Sequence, residues 1–137
     1  MFAGAKSFNS DLSKWDVGRV INMASMFEES FAFNSDLSNW DVANVERMDL
    51  MFRRSILFNK DISSWNVSKV KNTTAMFKLA VSFDQNLCEW GQKLPPGVET
   101  TQMFVASGCA NKTEPSFFED SSSSSGPWCQ SCDAAAS

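Results

Sequence analysis

FNSDLSKWDV at residues 8–17 returns as FNSDLSNWDV at 33–42 and as FNKDISSWNV at 58–67. Phe, Asn, Asp and Trp hold their places while the letters between them drift. Either the block is a functional site in several copies, or the shape of the chain demands it. The pair Met-Phe sets the period. It stands at 1–2, 26–27, 51–52, 76–77 and 103–104, so three intervals are 25 residues and the last is 27. Other columns recur in the same register: Phe8, Phe33, Phe58 and Phe83; Leu12, Leu37, Ile62 and Leu87; Trp15, Trp40, Trp65 and Trp90; Val17, Val42 and Val67; Val20, Val45 and Val70. A fixed period of this length marks stacked repeats, each of which cannot bury its apolar side alone.

Within a unit, Val45, Met48, Met51 and Phe52 are spaced by threes and one, which is helical or 3₁₀ spacing. From Leu37 to Val42 the apolar steps shorten between Ser, Asp and Asn, which predicts a brief extended segment bounded by turns. The expected fold is therefore α/β: a solenoid of about four 25-residue turns, each with one short strand in a parallel sheet and one short helical segment. Asp16, Asp41 and Asn66 are expected as caps at the helix starts. The repeats divide as 1–25, 26–50, 51–75 and 76–102, the closely matching part being 1–90.

The ends differ from the middle. Pro95, Pro96 and Gly97 enter where the helical segment began in earlier units, and proline cannot continue a helix. Residues 91–118 are expected as a C-terminal cap and 119–137 as a Ser-rich linker with a C-x-x-C tail. At the other end Met1 and Phe2 already occupy the repeat's own Met-Phe position. The chain is thus expected to be part of a longer array whose earlier repeats cover the first turn, or to have that turn covered by another subunit. All four cysteines, Cys88, Cys109, Cys129 and Cys132, lie in the last 50 residues of the chain, and two disulfides have three possible pairings. Cys88 replaces the serine found at Ser13, Ser38 and Ser63, and Cys109 lies one turn on, so a Cys88–Cys109 staple holding the cap is the preferred pairing.

FNSDLSKWDVGRVINMASMF and FNKDISSWNVSKVKNTTAMF resemble the repeats of BspA-like leucine-rich-repeat surface proteins, whose kin include mycoplasma lipoprotein-type repeats. The resemblance covers residues 1–90 closely and 91–118 more loosely, and the LCEWG…MFVASGC end is similar to the way such arrays terminate. It implies a right-handed leucine-rich-repeat-like solenoid in secreted or cell-surface material, tied to adhesion or binding. It carries no catalytic residue over to this chain.

The columns divide by chemistry. Asp11, Asp36 and Asp61 form a ladder of carboxylates that would suit Ca²⁺, which takes clustered oxygens. Against that, Asn and Asp ordinarily bond local backbone and shape turns, and this is the preferred reading here. The Trp ladder would offer sugar rings an aromatic strip if exposed, yet its Leu and Val neighbours make it a core column. Glu28 and Glu29 stand one unit before Arg53 and Arg54 and should meet them as ion pairs, leaving both sets as possible partner-facing positions. Arg53, Arg54, Lys60, Lys69, Lys71 and Lys78 make the middle units locally basic, a docking face for an acidic partner or simply a solvated one.

Composition narrows the function. The 137 residues carry a net charge of −4 and contain no His, so the usual general base and commonest metal ligand are both missing. No cofactor is expected and no enzyme activity. No sustained basic surface points to nucleic acid, and no apolar run is long enough to span a membrane. Paired cysteines together with sequons at Asn66, Asn72 and Asn111 point to an extracellular or cell-surface location, or alternatively to an oxidising organelle lumen. The expected function is a non-catalytic repeat module binding protein or glycan; the alternative is a structural or linker subunit inside a larger assembly. Recognition should then lie in letters that change between copies, such as Lys14, Asn39 and Ser64.

Overall fold

The computed structural model describes residues 2–115 and 126–132. Each 25-residue repeat makes one circuit, and the circuits stack. The backbone between Met23 and Ser30 shows how. Met23, Ser25, Phe27 and Glu29 donate their N–H groups to the carbonyls of Arg47, Asp49, Met51 and Arg53 in the next circuit, at 2.8–2.9 Å. The intervening Met26, Glu28 and Ser30 donate instead to the carbonyl three residues back, at 3.1–3.2 Å. Alternate donors thus look outward to the next circuit and inward to a local turn. The same pattern recurs from Met48 to Ser55 and from Thr73 to Ala80. In this way the segment satisfies its backbone without a conventional helix or ladder.

The expected strand-and-helix architecture is not found. Among the described residues the α-helix is the four-residue α1, Trp90–Lys93. Nor do the described residues form a sheet; their parallel pairing is confined to isolated bridges joining Asn22, Arg47, Asn72 and Glu99 in succession. A leucine-rich-repeat-like solenoid with a parallel sheet is therefore overturned. The reason lies in two columns of left-handed residues. Ser25, Leu50, Ala75 and Gln102 have φ of 54–61°, and Glu29, Arg54, Leu79 and Ala106 have φ of 56–62°. A residue in this region turns the chain away from both helical and extended geometry. The first column stops the parallel bridge from lengthening, and both interrupt any helix. The steps of three are those of successive β-turns, whose N–H also reaches three residues back. Asp16, Asp41 and Asn66 accordingly cap no helix; their Oδ1 atoms accept the N–H of Gly18, Ala43 and Ser68 at 3.0–3.1 Å in short Asx turns.

Stacking brings each constant residue onto its own copy. Phe27 lies 5.6 Å from Phe52, and Phe33 lies 5.9 Å from Phe58, with rings nearly parallel. The two Phe columns also pack on each other, Phe27 to Phe33 at 4.2 Å. Beside them, Trp40, Trp65 and Trp90 are spaced by 6.4 and 6.3 Å. Each of these indoles donates Nε1–H back to the preceding circuit, to Leu12 O, Leu37 O and Ile62 O at 2.8–3.1 Å. Ser55, fully buried, donates its hydroxyl to Phe27 O at 2.9 Å, so small polar residues also bridge the circuits. Trp15 stands at the start of its column and is 44% exposed.

The fourth circuit takes in its two extra residues as α1 and the Pro95–Pro96–Gly97 turn, where Gly97 has φ 84°. Register then resumes, with Phe77 and Phe104 stacked at 5.7 Å. Residues 126–132 return to the stack. Trp128 is buried in the core, its carbonyl accepts the N–H of Leu87 at 3.2 Å, and Cys129 O accepts the N–H of Asn111 at 2.9 Å. Two disulfides fix this segment, Cys88–Cys132 and Cys109–Cys129. The expected Cys88–Cys109 staple is replaced because the two residues lie in different columns. Cys88 follows Ser13, Ser38 and Ser63, whereas Cys109 follows Ser7, Ala32, Leu57 and Ser82 at another corner. The C-x-x-C does not close on itself; each of its cysteines crosses to the stack. The serine run expected as a linker lies outside the described residues.

Two outcomes follow from this packing. Trp65→Ala removes a buried ring and its hydrogen bond and should destabilise by roughly 3–5 kcal/mol, while Trp15→Ala should cost less than half as much; denaturant unfolding of both variants measures the difference. A mass-spectrometric disulfide map of the unreduced chain should return Cys88–Cys132 and Cys109–Cys129, and a Cys129–Cys132 link would contradict the tail placement.

Candidate binding surface

The constant columns are spent on the core, so surface chemistry falls to the polar and varying ones. The two Asn/Asp columns perform different tasks. Asn9, Asn34, Asn59 and Asp84 each use Oδ1 to accept a backbone N–H from the next circuit, from Asn34, Asn59, Asp84 and Ala110 at 2.7–3.0 Å. Asp11, Asp36 and Asp61 accept within their own circuit, from the N–H of Ser13, Ser38 and Ser63 at 2.8–2.9 Å. Asn86 makes the same bond to Cys88 at 2.9 Å without a charge. The column therefore shapes a turn. The N–H of Ser13, helped by its hydroxyl and by Lys14, holds the Asp11 carboxyl below its usual value, and Ser38 does the same for Asp36. The charge of Asp11 opposes this shift at Asp36. Among the described residues no group of three His, Cys, Asp or Glu is arranged to hold a metal ion.

The charged pairs form between circuits. Arg53 meets Glu28 at 3.0 Å, and Arg54 meets Glu29 directly above it. Lys71 meets Glu46 at 2.9 Å, and Lys69 donates to Asn44 Oδ1 at 3.1 Å. These contacts are partly or largely exposed, so each contributes at most about 1 kcal/mol.

Beside the Glu–Arg pairs lies an apolar ridge. One varying column reads Lys6, Phe31, Ile56 and Val81. Lys6 Nζ and Arg54 Cζ approach the Phe31 ring to 5.8 and 5.7 Å from its centroid. Leu57 and Val81 are each 51% exposed and Val105 is 43% exposed, although large apolar side chains elsewhere are mostly buried. The ridge ends where Gly108 follows Val81. A Cβ on Gly108 would lie 2.3 Å from Val81 O, so the backbone comes too close there for any side chain. Four cations, Lys6, Arg53, Arg54 and Lys78, flank the ridge against two carboxylates, Glu28 and Glu29. The sequence reading named the charges but missed the apolar residues, whose signal is an apolar letter in a column that does not keep it.

The three sequon asparagines are held alike. Asn66, Asn72 and Asn111 accept the N–H of Ser68, Thr74 and Thr113 at 2.9–3.1 Å. Asn66 is exposed, Asn72 and Asn111 half-buried.

The chain belongs to the family described as Mycoplasma protein of unknown function, DUF285. That family's model matches residues 1–116, which takes in the circuits and the described part of the cap. No curated protein and no solved structure matches the chain. Two disulfides in a DUF285 chain of this size fit an oxidising environment. No helix of the described residues is long and apolar enough to cross a membrane.

The Asp column generates a pH and metal prediction. A carboxyl held below its ordinary value of 3.8 stabilises the fold above that value, and the contribution is lost as the pH falls through the lower folded value. Melting temperature should therefore stay level from neutral pH down to the ordinary carboxylate range and fall below it. Millimolar Ca²⁺ at neutral pH should leave it unchanged, since the Asp oxygens already face backbone donors; a rise of several degrees would restore the metal reading.

Proposed function

We propose that this DUF285 chain is a non-catalytic interaction module that docks an acidic, partly apolar segment of a partner protein along the ridge of Phe31, Ile56, Leu57, Val81 and Val105. The observation that carries this reading is the exposure of Leu57, Val81 and Val105, with Phe31 and Ile56 half-buried in the column of Val81, among more cations than carboxylates on a chain whose own net charge is −4. Exposed apolar patches rimmed by charge mark protein contact sites. The cations supply orientation and on-rate, and the apolar side chains supply the buried area. The disulfides and the resemblance to BspA-like surface proteins support placing the module outside the cell or at its surface. An oxidising organelle lumen suits the same disulfides.

A second reading, a structural subunit within a larger assembly, draws on Trp15. Its indole is 44% exposed, whereas Trp40, Trp65 and Trp90 in the same column are 3% exposed or less. A neighbouring subunit, or equally a preceding repeat, lying over the first circuit would bury it.

One experiment separates the two. The wild-type chain, a Leu57→Glu/Val81→Glu variant and a Lys14→Glu control are used for cross-linked capture from the native source, with cross-linked sites mapped. The expected result is a partner whose acidic segment cross-links beside the ridge, is lost with the ridge variant, is kept by the control, and weakens about tenfold or more with added salt. Equal capture by wild type and ridge variant would rule the ridge out, and protection centred on Trp15 would favour the structural subunit.

A further inference from the structure

A second surface lies at another corner of the circuits. Val20, Val45 and Val70 point into the stack, and the residues on either side of each valine point out. They form two rows. One runs Arg19, Asn44, Lys69; the other runs Ile21, Glu46, Lys71, with main-chain bonds carrying the register from Ile21 through Glu46 and Lys71 to Glu99, next to the buried Val98. Two adjoining hollows lie along these rows and share Glu46 and Lys69 as lining. The larger, about 480 Å³, is walled by Pro95, Pro96, Gly97 and Val98. The smaller, about 320 Å³, is lined by Arg19, Ile21 and Asn44 as well. The volumes are those of small-molecule sites, about 300–1,000 Å³. The wall is the product of the two-residue insertion: in the regular circuits no proline turn stands beside the rows.

The chemistry of the lining narrows the ligand. Three cations, Arg19, Lys69 and Lys71, face one carboxylate, Glu46. Lys71 uses Glu46 as a partner at 2.9 Å, and Lys69 uses the neutral Asn44 amide at 3.1 Å, so each ammonium keeps donors for a ligand. Ser68 adds a hydroxyl. Glu46 would repel a bare polyanion but accepts hydrogen bonds from hydroxyls. Exposed Pro96 and half-buried Pro95 offer flat apolar surface to ring C–H groups. Among the described residues the two hollows are lined by no aromatic side chain of the kind that anchors protein contacts. A ligand with acidic groups, many hydroxyls and a ring face meets all of these features together.

We propose that this groove binds an acidic saccharide, a chain of sugar residues bearing carboxylates, with its acidic groups on Lys69 and Lys71 and its ring face on the proline wall. The site is separate from the apolar ridge and stands or falls without it.

The test uses the full disulfide-bonded chain and four probes: a uronate-containing oligosaccharide, its neutral counterpart of equal length, an acidic peptide of equal charge, and inorganic phosphate. Binding is followed by calorimetry and by backbone amide shifts. The expected result is binding of the uronate oligosaccharide at least about tenfold tighter than any other probe, with shifts centred on Ser68 to Lys71 and Gly97 to Glu99. Lys69→Ala and Lys71→Ala should each weaken it several-fold, and Lys112→Ala, in the cap, should leave it unchanged. Each variant's melting curve shows that it remains folded. The proposal is overturned by the absence of shifts at millimolar uronate oligosaccharide. Equal weakening by Lys112→Ala also overturns it, since that would be non-specific charge attraction, and so does tighter binding of the peptide or of phosphate.

Discussion

The structure depends on one alternation in the backbone. Between Met23 and Ser30, every second N–H bonds the next circuit, and those of Met26, Glu28 and Ser30 bond three residues back while that of Ala24 bonds Asn22 Oδ1. This fixes the separation of the circuits and thereby the contents of the core. Once copies of a residue must lie one on another at a set distance, the side chain that fills the gap is the one that packs on itself. Flat rings do so: Phe copies repeat at 5.6–5.9 Å and Trp copies at 6.3–6.4 Å. A smaller residue in a column would open space toward both neighbours, so its cost is paid on two faces. The constancy of Phe and Trp across repeats is the chemical consequence of translation along the stack.

The polar columns show the same economy at finer scale. Asn9, Asn34 and Asn59 tie one circuit to the next, and Asp84 takes the fourth place because the task needs only an acceptor oxygen. Asp11, Asp36 and Asp61 tie a turn to itself, and Asn86 takes the fourth place for the same reason. Asn and Asp exchange in both columns, yet one column sets register between circuits and the other shapes a bend within a circuit. Letters alone do not separate the two tasks; only the direction of the bond does.

The period, the inward columns and the ion pairs between neighbouring copies were legible because they depend on translation, which repeats write directly into the sequence. The local backbone was not. Steps of three belong to β-turns as well as to helices. The residues that decide between them, Ser25, Glu29, Leu50 and Arg54, adopt left-handed geometry without the glycine that usually announces it; Gly4 alone in its column has it. The fold tolerates such residues because their N–H groups are held by the next circuit, a non-local compensation that no short window contains. The disulfides were half legible. Their number and their role at the end of the array followed from the residues, but adjacency in circuit order stood in for adjacency in column, and column is what places two Cα atoms within reach.

The surface follows from the same division. Residues that make the core cannot change without disturbing two neighbours, so variation gathers on the outer columns, and there the array makes two kinds of feature. Where the period holds, side chains of successive copies form convex rows such as the ridge from Phe31 to Val81. Where the period breaks, the extra backbone has to go outward, and Pro95–Pro96–Gly97 raises a wall beside Lys69 and Lys71. The regular rows make the smaller hollow lined by Arg19, Ile21 and Asn44; the insertion walls a larger one beside it. The larger hollows in such an array should therefore be sought at departures from its period, and broad protein contact on the stretches that keep it.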